Sequence, residues 1–572
     1  MEGSESLHPL AVLVTELKAE DASQRVRSLS QLSTISLALG PERTQSELLP
    51  YLTELIDDEV PVQLELAKQL SSFTAYIGGL NSAHLLLDPL ELLASVDSAE
   101  VRNVAVRGIV GVAGSVNSQV MGEIVLDVVK GLAEAEGVAG RCSAASLISL
   151  YYSKLGKAGQ SEALEVFEAL GKDSDGQVRK AAADSYPALV ASAGLTVFDL
   201  LGLFASDRED LIRASAVNGL LVLAPGLPSA KRSSLLSTLR TLCEDKSMRV
   251  RYTVVDHFPD LGSALGAEIC VQVLSPVYVR LVSDSEAQVR TALCMHLSEF
   301  VGCMSAEQAA VHVLPAVGTF AGDIEAVKKA LAAQVAKLAK CIGQKLVQEF
   351  LLPSILSLAK DDSLEVSLSL LTGCLGLSLD AASLADLLAS VLDRVLKDPA
   401  WRTRLQVCDL LPAYAQHLHA PEFHLYFANS LEKLCTDSVF TVRESVLLKI
   451  AEIARIYGEK DTEERIWPML VTLKGGKNYI SRITLLKSAV FLAPFVSFGY
   501  FQAAFLPIIV DLAKDKVPHV RLNAGKAFSS LKPFFSSLNI EGELRKLWEA
   551  LKKDPDIDVR NSVFGLFPAN QY

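Results

Sequence analysis

The stretch DKSMRVRYTVVDHF, Asp245 to Phe258, decides the fold. An aspartate stands six residues before an arginine, a valine immediately precedes that arginine, and apolar residues follow at helical spacing. Val250, Val254 and Phe258 recur at i, i+4 and i+8, so they share one helical face. Asp245 reads as a turn residue and helix N-cap, because its carboxylate can accept orphan backbone N–H groups. Arg251 flanks the apolar face, where its stem packs and its guanidinium can reach a turn.

The signature recurs along the chain. Its anchor position holds Arg27, Gln63, Arg102, Arg141, Arg179, Arg213, Arg251, Arg290, Lys328, Ser367, Arg404, Arg443, Arg482, Arg521 and Arg560. Spacings run from 34 to 39 residues, and eleven anchors have aspartate six residues earlier. A register this long, with two helical segments per unit, predicts an all-α fold. It is an α-solenoid of about 15 tandem HEAT repeats with a period of about 39 residues, continuous over 1–572. Stacked turns would set each aspartate beside an arginine of its own or an adjacent unit, in a ladder of charge-assisted hydrogen bonds.

Each unit reads as helix A, a turn carrying the aspartate, then helix B. The first pair is expected over Pro9–Lys18 and Val26–Leu39, stopped by Gly40 and Pro41, and the next A helix over Glu47–Ile56. Pro50, Pro89, Pro276, Pro315, Pro353, Pro468 and Pro507 lie 13 or 14 residues before an anchor and should bend their A helices. The register is loosest around Arg141, where Ala135 replaces the aspartate, and before Arg213, which comes after only 34 residues. It is loose again at Lys328 and Ser367, with Gly322 at the first one's aspartate position. A hinge there would exchange amide hydrogens faster over 310–380 than over 480–560.

Composition narrows the function. A net charge of −13 argues against a nucleic-acid groove, which needs an excess of Lys and Arg. The nine cysteines form no CxxC pair and read as buried thiols in a reducing compartment. The opening MEGSESLHPL has no basic n-region of a signal peptide. Ser488–Val510 is uncharged for 23 residues, but the register divides it between two helices, so no membrane insertion is expected. Neither a phosphate-binding glycine loop nor an HExxH motif is present. His417, His419 and His424 read as part of an exposed inter-unit link, not as metal ligands. No cofactor and no catalytic set are expected.

What remains is the ridge of turns. Trp401, Phe440 and Tyr479 all stand three residues before successive anchors, an aromatic stripe beginning beside Arg402. An exposed Trp next to Arg has the composition of an interface hot spot. Val517 and Asp556 continue the stripe one position earlier in their own units.

LSTISLALGPERTQSELLPYLTELIDDE (32–59) closely resembles the opening of the scaffold, or A, subunits of protein phosphatase 2A. DKSMRVRYTVVDHF, DPAWRTRLQV and NYISRITLL resemble later units of that family. The resemblance implies a non-enzymatic scaffold that joins two partners, a phosphatase catalytic subunit plus a regulatory B subunit, in a heterodimer or heterotrimer. Carried over by position, the catalytic-subunit site is Trp401, Arg402, Phe440, Asn478, Tyr479, Val517 and Asp556, within 384–572 (repeats 11–15). The regulatory-subunit site is Glu100, Gln177, Arg179, Lys180, Asp210 and Arg249, within 40–310 (repeats 2–8). Two departures stand out: Met248 where the family usually has Trp, and Gly475-Gly476-Lys477 where it has an acidic Asp-Pro turn. Cytoplasmic residence is expected, with nuclear residence as an addition to it. The competing reading is a transport or trafficking adaptor holding peptide cargo or a small GTPase on inner B helices.

Overall fold

A computed structural model describes residues 15–116, 118–375, 377, 381–531 and 541–563. All regular structure among them is helical. The chain divides into two compact units, 1–277 and 278–572. Within each, paired A and B helices follow one another and B helices pack against B helices of the neighbouring pairs.

The anchor register places the B helices. Helices Gly176–Ala193, Asp210–Leu223, Met248–Asp256, Glu325–Ile342, Phe440–Tyr457 and Tyr479–Leu492 each begin three residues before their anchor. The residue before the anchor is fully buried in most units, as Val178, Val250, Val289 and Val442 show. Asp245 is not the N-cap: Ser247 holds that position, and the Asp245 carboxylate accepts its N–H at 2.8 Å. Nor is Phe258 in the same helix as Val250 and Val254, since the helix stops at Asp256 and a second segment opens at Phe258 before Pro259. All three side chains are buried nonetheless.

The first unit corrects the register. Its B helix begins at Ala22, so the anchor is Arg25, and Arg27 is exposed. Asp21 caps that helix by accepting from Ser23 N–H. The helix breaks between Leu29 and Leu32 instead of running to Leu39, and Gly40 ends it at φ +79°. The expected first A helix lies mostly outside the described residues. The short interval before Arg213 has a simple cause: its A helix, Leu200–Ala205, is six residues long.

The prolines widen their A helices locally. π-helical turns over Thr44–Leu48, Cys270–Leu274, Val347–Leu351, Thr462–Ile466 and Phe501–Phe505 each end two residues before a proline. Proline lacks an N–H and its ring crowds the carbonyl one turn earlier, and the wider turn accommodates that clash without ending the helix. Pro315 instead follows an interruption at Val313, and Pro89 follows a 3₁₀ stretch, Gly79–Leu86. The uncharged 488–510 segment is cut as expected. One helix ends at Leu492, Ser497 caps the next, and Trp467 stacks on Phe505 between neighbouring A helices at 3.6 Å. Among the described residues no helix is long and apolar enough to cross a membrane.

The ladder forms, and its direction is now fixed. Arg213 forks its Nε and Nη2 onto the next unit's Asp245 at 2.6 and 2.8 Å. Its Nη1 donates back to the carbonyls of Asp207 and Arg208 in its own turn. In the first compact unit the same step joins Arg25 to Asp58, Arg141 to Asp173 and Arg179 to Asp207. In the second it joins Arg290 to Asp323, Lys328 to Asp361, Arg404 to Asp437, Arg482 to Asp515 and Arg521 to Asp554. Asp323 and Asp58 sit one residue later than the pattern predicts, so Gly322 does not interrupt the ladder. At Ser367 the next A helix substitutes, with Arg394 donating to Ser367 Oγ and to the Ala359 carbonyl.

Ladder carboxyls titrate low. Burial raises the Asp245 carboxyl, but the Arg213 fork and the Ser247 N–H outweigh it and hold it below the usual range. Asp207, Asp437 and Asp515 behave alike. A folded-state value below the unfolded one contributes stability above the unfolded value, about 4, and loses it as pH falls below. The thermal midpoint should therefore stay flat from pH 8 to about 5 and fall steeply below about 4. A fall centred near pH 6 would point to histidine instead.

Candidate functional site: the ridge of turns

The predicted ridge in the second unit is built from the first residues of successive B helices. Trp401, Phe440 and Tyr479 each occupy the first helical position, while Asn478, Val517 and Asp556 are N-caps. Capping explains two of these. Asn478 accepts from Ile480 N–H, and Asp556 from the N–H groups of Asp558 and Val559. The first-turn position points a side chain outward just where the chain leaves the turn, so aromatic residues placed there line one edge.

Exposure differs along that edge. Phe440 is 52% exposed and Tyr479 40%, and the two stand side by side on successive helices, where a contiguous apolar patch carries more meaning than a lone exposed side chain. Trp401, expected to stand clear of the protein, is half-buried, with the Arg402 guanidinium 4.9 Å from its ring centre. Arg402 itself is exposed. Lys487 Nζ lies 4.4 Å over the Phe440 ring, and Tyr479 meets His519 edge-on. Between Phe440 and Tyr479 is a cavity of about 250 Å³, lined also by Arg443, Lys487, His519 and Lys526. In sequence, the turn before Tyr479 stands out for lacking the usual aspartate, at Gly476.

In the first unit the predicted positions separate into two kinds. Glu100 and Gln177 are exposed in the first turns of their helices. Arg179 is buried, and its five N–H donors go to Asp207, Glu209 and the carbonyls of Asp173 and Ser174. The structure thus assigns its guanidinium to the ladder, leaving none of its donors for a partner. Lys180 pairs with Asp184 on its own helix. Asp210 accepts from Ser247 Oγ and lies 3.5 Å from Arg249, so those two turns are tied to each other.

Other candidates take structural roles. His417 ends one helix and His419 caps the next, but His424 packs inside a helix and meets Asp461 at 2.9 Å. Among the described residues no group of three or more His, Cys, Asp or Glu could hold a metal ion. Six of the nine cysteines are buried, and burial pushes the Cys374 thiol up to about 12.

The paired helices, buried seam and stacked turns define a HEAT-type α-solenoid. Solved structures agree on that fold alone. Kap95p in its complex with RanGDP superposes with a TM-score of 0.59 at 14% identity, over 97% of this chain and 76% of that one. Kap121p bound to Ste12p gives 0.59 at 14% identity, over 92% and 57%. No protein-family model matches the chain.

By sequence, the chain is similar to the 65 kDa regulatory A subunits of protein phosphatase 2A. The human A beta isoform is 32% identical over 382 residues, 65% of this chain and 64% of the relative. The A-type regulatory protein of the phosphatase from fission yeast, Schizosaccharomyces pombe, is 36% identical over 271 residues, 46% of each. The rat A beta isoform reaches 42% over 182 residues, 32% of this chain and 30% of that one. The matched segments thus span less than two thirds of these relatives' length.

Proposed function

We propose that this chain is a non-catalytic scaffold of a protein phosphatase 2A-type enzyme. The catalytic subunit would dock on the ridge of the second unit, and a regulatory subunit on turns of the first, around Glu100, Gln177 and Arg249. The observation that carries the reading is the aromatic edge. Phe440 and Tyr479 stand exposed at matched helical positions on a framework whose relatives are named as phosphatase regulatory subunits. A solenoid offers a long array of turns, so two proteins held on one chain meet at raised effective concentration. The chemistry then belongs to the docked subunit, and the complex would reside in the cytoplasm or the nucleus.

The transport-adaptor alternative rests on fold likeness at 14% identity, which says nothing of cargo. The test is co-purification of tagged chain with the catalytic subunit from its own cells, then assay of the chain alone on a phosphopeptide. The expected results are a stoichiometric catalytic subunit in the eluate, with only background activity from the free chain. Capture of a small GTPase with no phosphatase would move the adaptor reading to the front.

A further inference from the structure

The ladder has a gap where the aromatic edge is most exposed. Arg443 donates Nη1 to the carbonyls of Asp437 and Ser438 at 2.6 and 3.1 Å, as its neighbour Arg404 does in its own turn. Its remaining donors meet no carboxylate among the described residues, because the next turn carries Gly475, Gly476 and Lys477 where others carry aspartate. Neighbouring steps show what is missing. Arg404 forks onto Asp437 at 2.5 and 3.0 Å, and Arg482 onto Asp515 at 2.6 and 3.2 Å. Arg404 and Arg521 are held above their ordinary values by their bonds to Asp437 and Asp554, whereas burial pushes Arg443 below its own. Arg102 also faces a turn without aspartate, at Ala135, but only the Arg443 gap adjoins the exposed aromatic pair.

Packing keeps the gap open from inside. A Cβ at Gly476 would fall 2.8 Å from Ser481 Cβ, so the ordinary aspartate position is closed to any side chain without rearrangement. Arg443 lines the 250 Å³ cavity together with Lys487 and Lys526, and Lys526 is exposed, with no acidic partner among the described residues. The one carboxylate on the lining, Glu444, is bonded to Lys487 at 3.3 Å. A net cationic cavity between two aromatic rings, on a chain of net charge −13, selects for a negative group with an apolar stem.

We infer that this cavity receives an aspartate or glutamate side chain of the docked protein, whose carboxylate completes the ladder step at Arg443 that the chain leaves open. The inference rests on the scaffold reading, which supplies the docked protein: the phosphatase catalytic subunit. A charge-assisted fork formed only in the complex makes this step a specificity contact, since a partner lacking the acid leaves Arg443 with only its own-turn carbonyls and the Phe440 ring, 5.9 Å away, to meet its charge.

The test measures the affinity of the full chain for purified catalytic subunit by calorimetry. Arg443→Gln should weaken binding about tenfold. Lys477→Asp should fill the gap from within, because an aspartate at this same offset, Asp323, already reaches Arg290. That variant is expected to raise the thermal midpoint of the free chain while weakening binding about fivefold. In the Arg443→Gln background, Lys477→Asp should cost nothing further. Arg443→Gln binding within about twofold of wild type overturns the inference and leaves the scaffold reading intact. So does a Lys477→Asp loss that persists without Arg443, since the effect would then be general repulsion. A wild-type chain that binds no catalytic subunit overturns the scaffold reading, and this inference with it.

Discussion

Replacing Asp245 by alanine should destabilise the first unit by about 3 kcal/mol, among the largest single losses available outside the apolar core. The carboxylate accepts three bonds, two from Arg213 and one from the Ser247 N–H. Both partners are nearly out of solvent, with side-chain exposures of 8% for Arg213 and 7% for Asp245. Removing the acid leaves a buried guanidinium without its counter-charge, a penalty that exceeds the net worth of the pair. The expected readout is a lower urea midpoint, with faster hydrogen exchange over Met248–Asp256. Arg27→Ala, on an exposed side chain, should change stability by no more than about 0.5 kcal/mol. Equal effects of the two substitutions would mean that the ladder is decorative.

The second large effect concerns binding. Tyr479→Ala and Trp401→Ala should each weaken catalytic-subunit binding about thirtyfold, or about 2 kcal/mol. The two differ in origin. Tyr479 is 40% exposed, so its ring can meet a partner directly. Trp401 is half-buried and stacked with Arg402, so its truncation also releases an exposed guanidinium from a fixed position. A thermal scan of each free variant separates the cases. Tyr479→Ala should leave the midpoint unchanged, and Trp401→Ala should lower it slightly. Binding unaffected by both substitutions would remove the ridge from the interface.

Much of this is legible in sequence because the repeat enforces it. An aspartate and an arginine six residues apart recur often enough to define the turn, the B helix start and the ladder without any long-range inference. Sequence misleads where one unit departs from its neighbours. In the first, Asp21 and Arg27 match the spacing by coincidence, while helix capping sets the true anchor at Arg25. Periodicity alone does not distinguish an N-cap from a side chain two residues ahead of it, and Asp245 is the second of these. Nor does it reveal that prolines are accommodated by π-helical turns, since the wider turn costs one residue of register inside an otherwise continuous apolar pattern. The aromatic edge is visible as an offset, but its exposure is not: Trp401 and Tyr479 share an offset and differ in burial. Arg179 matches a contact position in sequence, and only the geometry shows that all five of its donors are used.

The most direct test of tethering is sedimentation of the catalytic and regulatory subunits with and without this chain. The scaffold account predicts a single three-component species when the chain is present, and two separate subunits when it is absent. Catalytic and regulatory subunits that associate equally well without the chain would contradict it.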